Sequence, residues 1–579
     1  MKLFQQLLVA PAALGLLAPV AANAAELNIN GVSDYASSSE QVTSITQFSD
    51  VYPTDWAYQA LSNLIERYGC VAGYPNGTYR GNRAMTRFEA AALLNACLDR
   101  VTEVTDELKR LMKEFEKELA ILKGRVDGLE AKVGELEATQ FSTTTKLKGK
   151  TTFVIGANTF GGDAKNVNVY DSNGDLVGGY PVPKSSTVRR IFDSAITAAG
   201  GTKNTEKMAT LANSNLGATT FNYDQQLDLD TSFTGKDLLK VRLRTGNFQN
   251  SAFGFNASTG INSPFAFGDT YATASGMETA FEEGVIGNAI SVNRLFYQFP
   301  LGSDFTVTAG GVVRQDDMLA VWPSAYPADS VLDFFTYAGA PGTYNLNLGS
   351  GAGIWWQKDA FSISANYVSA NGNDGNPNVG GIATDGAAGT GTVQVAYAKD
   401  NWGLAAAYNY SSQNWGNLYQ STGTPLATQV GTLGNTNSVG VSAWWTPENA
   451  GWIPSISTGW GLNSTSGAKD TTLLGYDFDN ATTQSWYVGL QWADVFLKGN
   501  SAGMAVGQQG FVTSLGLGSN KTFSNRQASD AEEALVRDGQ YAWEWWYMFQ
   551  VTDNISVTPA IFYLSRPLGT ATQGVSYNQ

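Results

Sequence analysis

From about residue 145 to the end, apolar and polar residues alternate with a period of two, in short runs separated by turn-forming residues. Such alternation puts successive side chains on opposite faces of an extended strand. Leu227, Leu229, Thr231 and Phe233 alternate with Asp228 and Asp230. Beyond the turn at Gly235-Lys236, Leu239, Val241 and Leu243 alternate with Lys240, Arg242 and Arg244. Later, Trp543, Trp545, Tyr547 and Phe549 alternate around Glu544, and Asp553-Asn554 turns the chain into Val557, Pro559, Ile561 and Tyr563. The same pattern predicts fifteen strands: 147–160, 221–235, 238–248, 291–299, 304–314, 351–358, 361–370, 391–399, 402–411, 436–446, 452–463, 482–493, 502–513, 541–550 and 554–564. Long connections (161–220, 249–290, 315–350, 371–390, 412–435, 464–481 and 514–540) interleave with short ones such as Asp359-Ala360 and Asp400-Asn401.

A different period governs residues 98–138. Leu98, Val101, Thr105, Leu108, Met112, Phe115, Leu119, Leu122, Val126, Leu129, Val133 and Leu136 follow three-four spacing, the a and d positions of a heptad repeat with one polar exception. Sustained a/d regularity favours a self-associating coiled coil over a helix packed on its own domain. Some 40 helical residues would span about 60 Å, a length suited to a periplasmic spacer.

Composition narrows the class. Only 15% of the 579 residues are charged, against roughly 25% in an average globular domain. Gly and aromatic residues are abundant, and the net charge of −15 argues against a nucleic-acid partner. The chain has no histidine, which excludes imidazole bases, Ser-His-Asp triads and His-ligated zinc or haem. Residues 1–24 read as an export signal: Lys2, an apolar stretch from Leu7 to Val20, and the small-residue site Ala22-Asn23-Ala24. No later run of apolar residues is long enough for a transmembrane helix, so any membrane span must be a β-barrel. Residues 25–46 read as a flexible linker, and 47–100 as a small helical module that holds both cysteines, Cys70 and Cys97. In an oxidising periplasm this pair is expected to form a disulfide, with two buried free thiols as the alternative.

A soluble sandwich and a membrane barrel alternate alike, one inside out relative to the other. Length, aromatic density and the export signal favour a transmembrane antiparallel barrel over 145–579, mainly β in class. With strand one entering from the periplasmic helix, every long loop falls outside and every short turn inside, the outer-membrane pattern. Bacterial single-chain barrels have even strand numbers, so the odd count points to a sixteen-stranded barrel whose last strand is missing or only begun in this sequence, or else to a miscounted strand in a weak region such as 502–513.

The small module resembles an S-layer homology (SLH) domain. The matching residues are Phe48-Ser49-Asp50-Val51, Trp56-Ala57, Leu61, Gly69, Val71, Gly73-Tyr74-Pro75-Asn76-Gly77-Thr78-Tyr79 and Thr86-Arg87-Phe88-Glu89, with Phe88 where the family has Ala. Asn76-Gly77 is a turn dipeptide that needs positive φ. Thr86 and Glu89 form a capping box that puts Arg87 in the first turn of a helix. The resemblance implies binding to a cell-wall polymer, with Arg87 contacting an anionic group and Thr86, Glu89 and Trp56 beside it. A surface ion pair for Arg87, and a core place for Trp56, are the plainer readings.

Taken together, signal, SLH module, coiled coil and barrel resemble the cyanobacterial SLH-containing porins, whose barrel belongs with the OprB carbohydrate-selective family and some of which are called iron uptake porins. Arg67-Tyr68-Gly69-Cys70, Gly81-Asn82-Arg83-Ala84-Met85-Thr86-Arg87, Asn95-Ala96-Cys97-Leu98-Asp99-Arg100 and the stretch from Asp333 to Gly342 carry the likeness. It implies a homotrimeric outer-membrane channel, tied to peptidoglycan-linked polymer, that passes small hydrophilic solutes (ions, iron among them, or sugars) without catalysis, metal or cofactor. The third long loop holds Asp316, Asp317, Asp329 and Asp333 with Trp322, Tyr326, Phe334 and Phe335. In many trimeric porins this loop folds inward, where acidic side chains would favour cations. Lys240, Arg242 and Arg244 would form the facing basic row, with Asp228 and Asp230 on the next strand. The alternatives are locally paired lumen charges and an extracellular lid. Three other functions are weighed. A pure tether between membrane and wall needs only the SLH module and coiled coil. An energy-coupled receptor needs a plug domain, and an outer-membrane hydrolase needs a nucleophile motif; neither feature is found.

Overall fold

The computed structural model divides into two units, residues 1–140 and 141–579. It describes residues 44–55, 58–59, 61–62, 65, 77–79 and 113–139 of the first. In the second it describes 144–579 except 171–175, 197–201, 249–250, 255–274, 281–287, 328–330, 416–418, 420–421, 450 and 521–526.

In the first unit, Ile45, Phe48, Leu61 and Ile65 form a small apolar core with Val51, Tyr58 and Tyr79 packed on it. The Phe48-Ser49-Asp50-Val51 segment is held by polar groups. The Asp50 carboxylate accepts the Tyr79 N–H at 2.6 Å, and the Ser49 N–H donates to the Gly77 carbonyl at 2.9 Å. Gly77 has φ +72°, a value that costs glycine little. Helix α1 spans Glu116–Thr139. On it Val126, an a/d position, and its neighbour Ile121 are exposed. Residues 98–112 of the expected helix, and Trp56, Cys70, Thr86, Arg87, Glu89 and Cys97, lie outside the described residues.

The second unit is one large antiparallel sheet in which each long strand pairs with its chain neighbours. Its strands are β1 Thr145–Gly156, β2 Thr220–Thr231, β3 Leu238–Gly246, β4 Ser291–Leu301, β5 Phe305–Arg314, β6 Leu348–Lys358, β7 Phe361–Ser369, β8 Gly389–Lys399, β9 Trp402–Ser411, β10 Gly434–Trp445, β11 Ser455–Gly467, β12 Tyr476–Ala493, β13 Ser501–Asn520 and β14 Tyr541–Thr552. The fifteenth, β15, runs as Ile555–Val557 and Ala560–Ser565, broken at Pro559, which has no N–H to give the ladder. All fifteen expected strands are present. Tyr577–Asn578 pair with Gly161–Gly162 and, through Asn578, with Ser565, between the last strand and the segment after β1.

Exposure resolves what alternation left open. Along β9, Trp402, Leu404, Tyr408 and Tyr410 are exposed while Gly403, Ala405, Ala407, Asn409 and Ser411 are buried. Along β7 and β8, Phe361, Ile363, Val393 and Val395 are exposed while Ser362, Ser364, Thr392 and Gln394 are buried. Large apolar side chains outside and small polar ones inside invert a water-soluble sandwich, and satisfy a barrel whose solvent is lipid. Short turns join one end. In the β2–β3 turn the Asp237 carboxylate accepts from the Thr234 N–H at 2.7 Å, the Ser232 hydroxyl at 2.9 Å and the Tyr297 hydroxyl at 2.7 Å. These hydrogen bonds, those from Thr234 foremost, hold its carboxyl well below the usual range.

The long-loop end is more structured than expected. Residues 161–220, expected as a plain connection, contain a three-stranded sheet (Lys165–Tyr170, Leu176–Pro181, Thr202–Lys207) and helices α2 Ser186–Ile196 and α3 Met208–Leu216. With α4 Pro425–Gly431 and α5 Ala528–Leu535 they share one apolar core that includes Phe192, Met208, Leu426, Val430 and Leu535. The loops can hold structure because they bury this core jointly. Strands β12 and β13 also extend past their expected bounds, through Tyr476-Asp477-Phe478-Asp479 and Leu515-Gly516-Leu517-Gly518, where the alternation continues and the apolar residues turn inward.

Candidate functional site

The loop between β5 and β6, loop three, turns into the barrel. It begins with a single 3-10 turn, Gln315–Met318, and then crosses to the inner faces of β10–β14. Its backbone and side chains bond to the wall at every stage. Ala320 N–H donates to Ser364 Oγ at 3.0 Å, and Gln394 Nε2 donates to the Val321 carbonyl at 2.8 Å. The N–H groups of Ala325 and Tyr326 converge on Ser457 Oγ at 2.9 and 3.0 Å. Ser485 Oγ donates to the Gly339 carbonyl at 2.8 Å.

The strongest tether is a carboxylate. Glu544 on β14 has no exposed surface and accepts from the Tyr326 hydroxyl and the Leu332 N–H, both at 2.7 Å. Trp546 Nε1 donates in turn to the Tyr326 hydroxyl at 2.9 Å. Charge-assisted hydrogen bonds away from water are the strong kind. Around them Tyr326, Phe334 and Phe335 pack against Tyr487 and Trp546.

Close approach also needs a wall without side chains. A methyl added at Gly461 would come within 2.9 Å of Ala340 Cα, at Gly489 within 2.5 Å of Tyr326 Cδ2, and at Gly507 within 2.9 Å of Phe334 Cε1. Glycines on the inner faces of β11, β12 and β13 thus form the seat of the loop.

The opposite wall is charged. Across β2 and β3, Asp228 lies opposite Arg242 and Asp230 opposite Lys240. Arg242 grips Asp228 through two bonds of 2.6 and 2.8 Å, and Lys240 bridges Asp228 and Asp230 at 3.0 and 3.1 Å. Arg244 pairs with the buried Asp224 at 2.7 Å. Next along the wall, Arg294 on β4 pairs with Asp317 at 2.5 Å, and Arg314 at the end of β5 grips Asp316 at 2.5 and 2.6 Å.

Lys240, Arg242, Arg244, Asp228 and Asp230 share one inner face and pair with one another or with Asp224. Asp316 and Asp317 sit at the root of loop three, each held by an arginine of the wall. Arg314 helps hold the Asp316 carboxyl below the usual range against the effect of burial, while burial and neighbouring Asp316 raise that of Asp317. Asp333 is buried farther along the loop, where loop two reaches it: its N–H donates to the Gly276 carbonyl at 2.9 Å, and Met277 pairs with Leu332. Burial, with Glu278 adding to it, pushes its carboxyl up to about 8. Asp329 lies outside the described residues. Sequence reasoning missed Arg294, Arg314, Asp224 and the role of Glu544. Arg294 follows a β-bulge, where β4 pairing shifts between Arg242 and Leu243, so simple parity misplaces it.

An antiparallel barrel with an apolar exterior, a polar interior and a loop seated in its lumen defines an outer-membrane porin, a channel. A family model described as the carbohydrate-selective porin, OprB family, matches residues 103–577, and an S-layer homology domain model matches 47–91. The chain belongs to the OprB porin family, carries an SLH domain, and is an outer-membrane protein. An uncharacterized protein of Nostoc sp. is 33% identical over 569 residues, spanning 91% of this chain and 82% of its own. One from Synechocystis sp. is 30% identical over 587 residues, spanning 94% and 91%. Outer membrane protein SlpA of Thermus thermophilus is 34% identical over 103 residues, 15% of this chain and 11% of its own. The solved structure of Pseudomonas putida OprB covers 77% of this chain and 93% of that chain, with 12% identity and a TM-score of 0.38.

Proposed function

We propose that this porin gives passive passage to small hydrophilic solutes, inorganic ions ahead of sugars, as a homotrimer whose SLH module holds it to peptidoglycan-linked polymer. The observation that carries the reading is the division of the lumen. One side is filled by loop three, and the side left to solutes is lined by ion pairs on β2–β5. Sugar recognition draws on exposed aromatic faces, and Tyr326, Phe334 and Phe335 are buried in packing. Charged walls act on ions by direct attraction and exclusion. Iron is one candidate among the ions, and carbohydrate, the solute in the family description, is the alternative cargo.

The exposed a/d residue Val126 supports self-association through α1, since an apolar seam in water gains by burial against a copy of itself. Support for anchoring through Arg87 comes from guanidinium chemistry at the helix start that the Thr86 and Glu89 capping box predicts. Planar-bilayer conductance of the full chain, paired with liposome swelling in sugars, tests the transport reading. Conductance without swelling is the expected result, and swelling at rates matching ion flux would overturn the preference for ions. For the anchor, Arg87→Ala is expected to lose most retention on purified wall polymer.

A further inference from the structure

The lumen wall contains one more charged strand than the ion pairs of β2–β5 alone reveal. In the β1–β2 register Lys146 lies opposite Asp230, Lys148 opposite Asp228 and Lys150 opposite Gln226. Residues two apart share a face, and Lys148 Nζ reaches Asp230 at 2.7 Å. All three lysines therefore belong to the inner face that carries Asp228, Lys240 and Arg242. The intervening Leu147, with Phe153 and Ile155 of the same parity, is exposed on the outer face.

Charge counting on this wall is uneven. Asp230 is shared by Lys148 and Lys240, and Asp228 by Lys240 and Arg242, so two carboxylates serve three cations. Arg244, Arg294 and Arg314 each have one carboxylate of their own. Lys146 and Lys150 add two further positive charges on the same face. Among the described residues this wall carries more basic than acidic side chains, in a chain whose net charge is −15.

Among the described residues, the loop side does not restore the balance. Glu544 is sealed beneath loop three, where it accepts from Tyr326 and Leu332. Asp333 is buried and holds its proton through much of the neutral range. Glu278, beside Asp333, is half-buried.

We propose that this channel selects small hydrophilic anions, with Lys146, Lys148 and Lys150 as specificity-determining residues. The inference rests on the channel reading above and refines its solute class. Lysine and arginine at a pore wall attract anions and repel cations, and on exposed side chains such as Lys148 the effect weakens as salt screens it.

The test is the reversal potential of the full chain in planar bilayers under a potassium chloride gradient. Chloride is expected to permeate better than potassium, more so in dilute salt. The triple variant K146Q/K148Q/K150Q is expected to bring the ratio toward unity. If the triple variant fails to fold, Lys146→Gln and Lys150→Gln, which leave the Asp230 ion pairs in place, shift the ratio in the same direction. A wild-type preference for potassium, or variants with undiminished chloride preference, would overturn the anion inference while the channel stands. Absence of any conductance would overturn the channel reading itself.

Discussion

The inner faces of β2–β5 and of β10–β14 belong to one sheet and follow one alternation, yet they do opposite work. The first carries Lys240, Arg242, Asp228 and Asp230, which remain partly exposed, beside the buried Asp224, Arg244 and Arg294. The second carries mostly Gly, Ser, Thr and Ala, with Tyr487, Trp546 and the Glu544 carboxylate, nearly all buried. A lumen is therefore not a uniform environment. Where a loop packs against the wall, inward positions obey core rules, with small residues and satisfied polar groups. Where water remains, the same positions carry charge. Loop three is what separates the two, since its root bonds to one wall through Asp316 and Asp317 and its tip to the other through Tyr326 and Leu332.

The largest test of that contrast is Glu544→Ala. It removes the shared acceptor of Tyr326 and Leu332, and each buried group left unpaired costs about 1–3 kcal/mol. Loop three is expected to detach at its tip, giving larger and noisier single-channel steps and a lower thermal midpoint of the folded barrel. Glu544→Gln, which keeps an acceptor oxygen without the charge, should lie between. An alanine variant with wild-type conductance would mean that the glycine seat, not the carboxylate, holds the loop.

The seat itself gives the next effect. Gly489→Ala forces a methyl against Tyr326, and overpacking of this kind costs about 1–3 kcal/mol. The loop should shift toward the charged wall and conductance should fall. At Gly311 on β5 an added methyl meets nothing within 4 Å, so Gly311→Ala should change stability by less than about 0.5 kcal/mol. Equal effects at the two glycines, read from thermal midpoints, would erase the distinction between the halves.

The two halves were also unequally legible. Alternation located all fifteen strands because a strand facing two different media must alternate, whichever medium is inside. It could not say which face was wet. That required the exposure of Val393, Leu404 and Val441 against the burial of Ser364, Asn409 and Ser442. On the charged side, Lys240, Arg242, Arg244, Asp228 and Asp230 could be read directly, since charge on an alternating strand has one place to go. Arg294 was hidden by a bulge. Of the β1 lysines, Lys146 precedes the expected start at Leu147, while Lys148 and Lys150 fall inside the expected strand but alternate with Gly149 and Thr151 rather than with large apolar residues. On the packed side almost nothing could be read. Gly461, Gly489 and Gly507 are ordinary in a glycine-rich chain until Ala340, Tyr326 and Phe334 arrive from far along the sequence. Glu544 was visible as a polar position, but its partners lie more than 200 residues away.

Asp333 gives the smallest effect and bears on both halves, because it lies on the packed loop within the field of wall residues Arg314 and Arg244. Glu278 and Tyr337 also face it, and Tyr337, raised well above its ordinary 10, does not titrate near neutrality. The folded protein keeps Asp333 protonated up to about pH 8, whereas an unfolded chain ionises it near 3.8. Between those values only the folded state holds the proton, so this group's contribution to stability is full below 3.8 and is lost as pH rises to about 8. Ionisation also adds one negative charge to the lumen, so the chloride-to-potassium ratio should step down as pH passes about 8. Asp333→Asn should abolish the step while leaving the ratio at its low-pH value. A variant that titrated like the wild type would assign the proton to Glu278 and move the boundary between packed loop and open wall to the segment of loop two that meets it.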